Sequence, residues 1–550
     1  MSKTIAIGVE NFKKLIDNDY FYVDKTLLIK HIVDDGSDVC LITRPRRFGK
    51  TLSLSMLKYY FDINLDSKDL FKGLNIMSSD EEYISKMNSC PVIFLTLKNL
   101  TDDNFNSNIN ELKRYISSIY KEHSYLLDSD KLFTSEKENI HRIIDMQIND
   151  DEIASLLLEL SGYLYKHFNK NVLMLLDEYD VPLQSAYING FYNEAMPFWK
   201  QFFNRTFKTN PYLYKIVLTG VSRVAKESIF SGANNFKVYS VMNDNTFGSD
   251  FGFTHEEVKS ALNAFGLISG LDDVQKWYDG YKIGYANNMY NPWSVLNFLS
   301  DKLLMPYWVN TSSNDIIKMI LKNSTSIKLE LEKLLAGEEV TVRVEEEMIL
   351  DNIEANENNV WGLLIGTGYL KVTNQIDYRY ASVAIPNYEI KSLFEDIIDS
   401  WFGGYVSGQN LNTLLNSLVK LDYESFIGYF KQITLEMFSS WDVGINTSEN
   451  FYHAFVLGLM VGLKDKYYIT SNRESGYGRY DVVLKAKDKE NPSFIMEFKV
   501  VRNTFEESIE EAKNQIIEKC YETSLVNEGY AKIEKMVFAF QGKHVEIEVF

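Results

Sequence analysis

An α/β fold built around more than one core is what this sequence predicts, and three observations carry the prediction. Four short apolar runs alternate with long helical patterns in the first half of the chain, the order that makes a parallel sheet flanked by helices. A differently ordered α/β pattern begins after Trp441. At 550 residues the chain is also too long for a single hydrophobic core.

The elements follow in order. Strands are expected at Val39 to Thr43, Val92 to Leu97, Val172 to Leu176 and Tyr214 to Thr219. The third, VLMLL, is apolar at every position, as a strand covered on both faces should be. From about Phe251 the texture becomes helical, punctuated by WYDGYKIG and YNPWSVLNF, where Gly280, Gly284 and Pro292 supply turns or helix starts; 251–311 reads as a small lid domain. Residues 312–440 read as mostly amphipathic helix with a short insert at WGLLIGTGYLKV, and no chemistry is assigned there. Beyond 441 come a helix through NFYHAFVLGLMVGL and strands at Tyr467 to Thr470, Tyr480 to Ala486 and Ser493 to Val500. A helix to Tyr521 and strands at Lys535 to Phe540 and Val545 to Val549 complete it. The expected domains are therefore 1–250, 251–311, 312–440 and 441–550. With no repeat, low-complexity tract or long linker, they are expected to pack together.

Composition narrows the function classes. With 45% hydrophobic and 24% charged residues, the chain is an ordinary globular protein. No window approaches the roughly 18 uncharged apolar residues of a membrane helix. The start MSKTIAIGVENFKK carries no apolar signal core, so a cytoplasmic protein with no membrane partner is expected. Cys40, Cys90 and Cys520 are too few and too scattered for a disulfide framework or a thiolate metal site. A net charge of -19 argues against chain-wide affinity for nucleic acid and leaves only a local basic surface for such contact.

The segment LITRPRRFGKTLSLSMLKYYF sets a strand, a tight loop and a helix N-terminus in succession, the context of a phosphate-binding loop. Its pattern departs from G-x-x-x-x-G-K-[ST] at one place: Arg44 stands where the first glycine would be. Backbone N–H groups and the helix dipole would bind phosphate there, Lys50 would reach the β- and γ-phosphates, Thr51 would hold Mg²⁺, and Gly49 keeps the approach close. Arg44 is tolerable if its backbone stays in an ordinary region, and Arg44, Arg46 and Arg47 are expected to add positive charge nearby. The competing reading is a basic strand-helix turn with no ligand.

Further along, LMLLDEYD is a buried strand ending in carboxylates. Asp177 would hold the Mg²⁺ shell and Glu178 would polarise the attacking water, the two separated because successive strand residues face opposite ways. YKIVLTGVSRVAKESIFSG adds a strand with Thr219, Ser222 and Arg223 at its carboxyl end, where open parallel sheets bind ligands. A helix N-cap pair and a solvated salt bridge are the alternatives for these acids and for Arg223.

YFYVDKTLLI, RPRRFGKT, LLDEYD, LTGVSRV, WYDGYKIG and YNPWSVLNF, in that order, resemble the bacterial AAA-ATPase-like family commonly fused to a PD-(D/E)XK nuclease-like domain. The resemblance spans nearly the whole chain. It implies a P-loop AAA/STAND-like ATPase core with a helical lid and middle region, ATP and Mg²⁺ as cofactors, and a C-terminal restriction-endonuclease-like α/β domain. The family's usual RPRRFGK[ST] form accounts for Arg44. Self-assembly into a homo-oligomer is an expectation by analogy alone.

In RYDVVLKAKDKENPSFIMEFKV, Asp481 opens one strand while Glu497 and Lys499 sit two apart on the next. Alternation sets Ile495, Glu497 and Lys499 on one face and Phe494, Met496, Phe498 and Val500 on the other. Two carboxylates are the hard ligands Mg²⁺ prefers, and the lysine would orient water or stabilise charge on the scissile phosphate. This resembles the D…E-x-K core of the PD-(D/E)XK superfamily, with Tyr480 in place of its proline. SENFYHAF resembles the family's first helix, which implies Glu449 as a further metal-side carboxylate with His453, one turn later on the same face, as its neighbour, while Gln515 and Tyr521 resemble the Q…Y element beside such sites. A helix-start acid with a partly buried histidine, and a strand edge carrying a salt bridge, are the alternatives.

Two functions compete at this stage. One is an ATPase whose nucleotide state licenses a Mg²⁺-dependent nuclease acting on nucleic acid, DNA in the first place, in defence against foreign DNA. The other is a nucleotide-dependent switch or binding module whose nuclease-like domain is non-catalytic.

Overall fold

The computed structural model describes residues 3–208, 210–223, 236–309, 325–335, 337–346, 357–403, 408–440, 449–471, 474–475, 478–479 and 481–550. Two compact units are distinguished, one of residues 1–317 and 341–390, the other of residues 318–340 and 391–550.

In the first unit a parallel sheet has the order β2-β3-β4-β1-β5, from β1 (Val39–Thr43), β2 (Val92–Thr96), β3 (Val172–Asp177), β4 (Leu213–Gly220) and β5 (Phe236–Tyr239). All four expected strands are present. The additional β5 is a four-residue edge strand paired only with β1, too short and too mixed in pattern to signal itself. Strands β1 and β3 are buried at every position, which is why they read as unbroken apolar runs. Because the sheet is parallel, the loops after β1, β3 and β4 all leave from one edge, and every candidate residue of this unit stands there or just beyond it.

Residues 251–311 contribute a small core of Val258, Leu262, Tyr278, Tyr290 and Val295, against which Phe21 and Val23 also pack. Its helix Pro292–Asp301 starts as Pro at the first position predicts, with the Asn291 side chain accepting from the Trp293 N–H. The hairpin of β6 (Tyr281–Ile283) and β7 (Ala286–Met289) comes close to the loop after β5: a Cβ added to Gly284, at φ +55°, would lie 1.5 Å from the Asp244 carbonyl oxygen.

Residues 312–440 are divided between the two units, and the described part contains a three-stranded sheet of order β8-β10-β9, from β8 (Val340–Arg343), β9 (Lys371–Gln375) and β10 (Tyr380–Ala384). The insert WGLLIGTGYLKV supplies the end of the helix Glu357–Gly366 and the start of β9. Helical periodicity on either side masked these short, half-polar strands.

The second unit carries a mixed sheet of order β11-β14-β15-β16-β17, from β11 (Tyr467–Ser471), β14 (Val482–Ala486), β15 (Ser493–Val500), β16 (Ile533–Gln541) and β17 (His544–Val549); a short pair, β12 (Glu474–Ser475) and β13 (Gly478–Arg479), stands apart. Only β15 and β16 run parallel, and the helix Phe505–Lys519, with Thr504 as its N-cap, connects them. Phe430 from the helix Tyr423–Ser440 and Tyr452 from the helix Glu449–Met460 pack on Phe538 and Phe540 of β16. Strand β15 is central and its first six residues are buried, so Ile495 is as enclosed as Phe494 and the expected split into an apolar and an open face holds only at its carboxyl end. The strand-edge alternative is thereby excluded.

Among the described residues no helix is long and apolar enough to cross a membrane.

One buried group is expected to make the first unit acid-sensitive. His123, with Nδ1 2.8 Å from the Tyr125 hydroxyl, is held down to about pKa 4 by burial. Its folded value lies below the unfolded one, so its contribution is complete above about pH 6.5 and is lost as pH falls toward 4, a swing of about 3 kcal/mol. His123→Gln is expected to lose correspondingly less stability between pH 7 and pH 4.5 in urea unfolding of the full chain. Parallel losses in both proteins would contradict this.

Candidate functional site

The loop after β1 is built as a cradle, and Arg44 is its anchor. The Arg44 backbone stays out of the left-handed region, as tolerance of a non-glycine residue required. Its N–H donates to Gly220 O at 3.0 Å, and its side chain is fully buried, donating to Thr43 O, Tyr239 O and the Asp244 carboxylate. The expectation that Arg44 adds positive charge to the phosphate site is corrected here: the guanidinium turns into the protein, where Asp244 neutralises it. Arg46 and Arg47 do line the cavity, and Arg47, at φ +67°, lies 4.3 Å from the centre of the Trp293 ring.

Gly49, at φ +85°, leads into the helix Lys50–Phe61, whose first turn has no side-chain cap. Uncapped N–H groups and the positive end of the helix dipole are what an anion binds, and a Cβ added at Gly49 would meet nothing within 4 Å, so the approach is open. Lys50 Nζ lies 3.3 Å from the carbonyls of Arg44 and Pro45 and 3.4 Å from the Glu178 carboxylate.

Asp177 ends β3 fully buried and accepts from the hydroxyls of Thr51 and Thr219 at 2.7 Å each, with Thr96 Oγ1 at 3.4 Å. Burial, then the nearby Glu178 charge, push its carboxyl up to about 6, while the two threonines, together with Lys50, oppose the rise. Glu178 diverges from Asp177 for a reason other than strand pleat: it lies just past the strand with φ +54°, a left-handed conformation uncommon for a non-glycine residue.

Lys50, Thr51 and Glu178 border a cavity of about 390 Å³ lined by Arg46, Arg47, Gly49, Lys50, Thr51 and Glu178 on its polar side and by Gly8, Val9, Phe21, Val23, Phe253 and Trp293 on its apolar side; Asp177 is not among the lining residues and meets this wall through the Thr51 hydroxyl. A charged end joined to an apolar, partly aromatic end suits a nucleotide, and the Thr51 and Asp177 oxygens are of the hard type a divalent cation takes. Thr219 is behind Asp177 and not among the lining residues. Arg223 is also outside the lining, with its guanidinium 3.2 Å from Glu346.

In the second unit, Asp481 directly precedes β14, and Val482 pairs with Met496, which brings Asp481 beside the carboxyl end of β15. Its carboxylate accepts the Phe498 N–H at 2.7 Å. Glu497 is fully buried, Lys499 Nζ lies 3.4 Å from its Oε1, and its Oε2 has no hydrogen-bond partner among the described residues. Burial and the Asp481 charge push its carboxyl up to about 8, against the opposing pull of Lys499. A buried carboxylate oxygen with no partner among the described residues, on an acid that has a second acid and a lysine near it, fits a divalent cation. Tyr521, buried nearby, accepts from Gln515 Nε2 at 3.0 Å. The side chains of Glu449 and His453, and Tyr480, lie outside the described residues. Among the described residues no group of three or more His, Cys, Asp or Glu side chains is poised on one metal.

Residues 6–230 match the family described as "Predicted AAA-ATPase", and residues 447–550 match the PD-(D/E)XK nuclease superfamily. The chain joins an AAA-ATPase-like region to a PD-(D/E)XK nuclease-superfamily region. It is similar to an uncharacterized protein in the vnfD 5' region of Azotobacter chroococcum mcd 1, with 25% identity over 523 residues that cover 91% of this chain and 90% of the relative. Both the parallel sheet of the AAA-ATPase-like region and the mixed sheet of the nuclease-superfamily region carry the candidate groups at strand ends.

Sequence reasoning passed over the cavity's apolar half. Gly8, Val9, Phe21 and Val23 precede the first strand, and Trp293 is some 240 residues beyond the loop it faces. The signal was the family-like segments YFYVDK and YNPWSV, quoted above without a role. Asp180 was likewise passed over within LLDEYD.

Proposed function

We propose that the AAA-ATPase-like region binds and hydrolyses ATP with Mg²⁺ and that its nucleotide state licenses a Mg²⁺-dependent nuclease in the C-terminal region, which cleaves DNA in the cytoplasm. Defence against foreign DNA is the role such a coupled cut would serve. The observation that carries the nuclease reading is Glu497: a fully buried acid with an unpartnered oxygen, beside Asp481 and Lys499, is costly to keep without a cation to hold.

In the first site Lys50, Arg46, Arg47 and the first N–H groups of the helix Lys50–Phe61 bind the phosphates, Thr51 and Asp177 hold the cation, and Thr219 fixes Asp177 from behind. Glu178 takes a proton from the attacking water. Arg223, paired with Glu346, acts from outside the cavity. In the second site Asp481 and Glu497 hold Mg²⁺, with Glu449 as a further ligand, and Lys499 orients water and balances charge on the scissile phosphate. A cation held there would lower the pKa of bound water and screen charge on the phosphate.

The test is cleavage of linear, circular and single-stranded DNA by the full chain with Mg²⁺ or Mn²⁺, with and without ATP. Lys50→Ala is expected to reduce ATP binding at least about 100-fold, as loss of a charge-assisted phosphate contact in a closed site does, and to abolish any ATP dependence of cutting. Absence of cutting by wild type while ATP still binds would favour the non-catalytic switch.

A further inference from the structure

Glu178, Gln184 and Val221 line the cavity together with Lys50, and one buried acid ties Gln184 to the Val221–Ser222 backbone. Asp180 is fully enclosed and accepts from Val221 N–H at 3.1 Å, Ser222 N–H at 2.8 Å, Ser222 Oγ at 2.7 Å and Gln184 Nε2 at 2.7 Å. Gln184 Nε2 is also 3.0 Å from Ser222 Oγ, and the Tyr179 hydroxyl donates to Ser222 O at 2.8 Å. Space is reserved for this network: a Cβ added at Gly220 would lie 2.6 Å from Asp180 Oδ1 and 2.7 Å from the Tyr179 ring.

The network settles which end of Gln184 is which. Asp180 already accepts from two backbone N–H groups, so the amide end that meets it is the NH₂. The amide oxygen is what Gln184 has left to offer the cavity it lines. Glu178, meanwhile, is shared with Lys50 and sits on a left-handed backbone. One carboxylate removes a proton from water but leaves the molecule free to rotate; a second acceptor fixes it for in-line attack.

We propose that Gln184 is a further catalytic residue, its amide oxygen holding the attacking water together with Glu178, and that Asp180 is the positioning residue that aims it. This rests on the ATP-hydrolysing reading above. In the step, the water oxygen bonds to the terminal phosphorus as the bridging P–O bond breaks, its electron pair leaving on the ADP oxygen. One water proton passes to Glu178 and the other, held by Gln184, stays on the released phosphate.

Phosphate release from Mg²⁺-ATP and ATP affinity, measured for the full chain, decide the matter. Gln184→Met keeps the shape but removes the acceptor; it is expected to lower kcat about 10- to 100-fold with KM and Kd for ATP within about threefold. Asp180→Asn is expected to give a similar kcat loss, and the double variant to lose no more than the worse single one, because both act on one water. If Asp180→Asn does not fold, Ser222→Ala, which removes one of the four donors, replaces it with a smaller loss of the same kind. A Gln184→Met protein with kcat within about threefold of wild type, or with affinity and kcat falling together, overturns the proposal while leaving ATP hydrolysis standing. A wild type that binds ATP and releases no phosphate overturns both.

Discussion

Replacing Glu497 by glutamine is expected to lower DNA cleavage by about a thousandfold or more, the several kcal/mol that a cation-stabilised transition state supplies. The substitution keeps size and shape but removes the carboxylate that Glu497 would offer a cation beside Asp481 and Lys499. It also removes a buried acid whose Oε2 has no partner, so the variant should melt no lower than wild type in chelator. Lost activity with retained or raised stability is the signature of a group kept for chemistry at the expense of the fold. ATP binding, read in the same preparation, should be unchanged, since Glu497 belongs to the other compact unit. Cleavage within tenfold of wild type would remove Glu497 from the site. A lower melting temperature alongside lost cleavage would make it a structural acid.

The second large effect runs against motif logic. Arg44→Gly restores the glycine of the general phosphate-loop pattern, yet it is expected to destabilise the first unit by about 3–5 kcal/mol, the usual consequence of breaking a buried ion pair. Asp244 is left enclosed with no cation, and the loop loses the donors it sends to Thr43 O and Tyr239 O. The freed glycine adds conformational entropy to the unfolded chain. Asp244→Ala should cost a similar amount by stranding Arg44, whereas Arg44→Met with Asp244→Leu should recover much of the loss, because paired apolar residues carry no desolvation penalty. Urea unfolding of the four proteins separates these outcomes, using the transition that ATP shifts. An Arg44→Gly protein as stable as wild type, binding ATP equally well, would reduce Arg44 to a tolerated substitution.

Arg44 also marks where sequence reading stops. That a non-glycine residue could stand there with ordinary backbone geometry was legible from the strand, loop and helix order. That its side chain would turn inward was not, because its partner Asp244 is 200 residues away, beyond β5, held where Gly284 of the β6–β7 hairpin permits close packing. The opposite happened at β15. The two-residue spacing of Glu497 and Lys499 set both near one carboxyl end before any pairing was known. Only the central place of the strand showed that Glu497 is enclosed, and enclosure is what raises its carboxyl.

The sequence by itself determined the apolar runs of β1, β3 and β4, the cradle at Gly49 to Thr51, the acids that end β3 and the D…E-x-K spacing, because each depends on residues within one or two turns of chain. Tertiary structure alone decided the left-handed placement of Glu178, the Thr51 and Thr219 clamp on Asp177, the Asp180 network and the apolar half of the nucleotide cavity. Those arrangements join segments dozens to hundreds of residues apart, and what they add is burial and a fixed partner. Neither can be read from a residue's neighbours in the chain, yet together they set charge state and orientation.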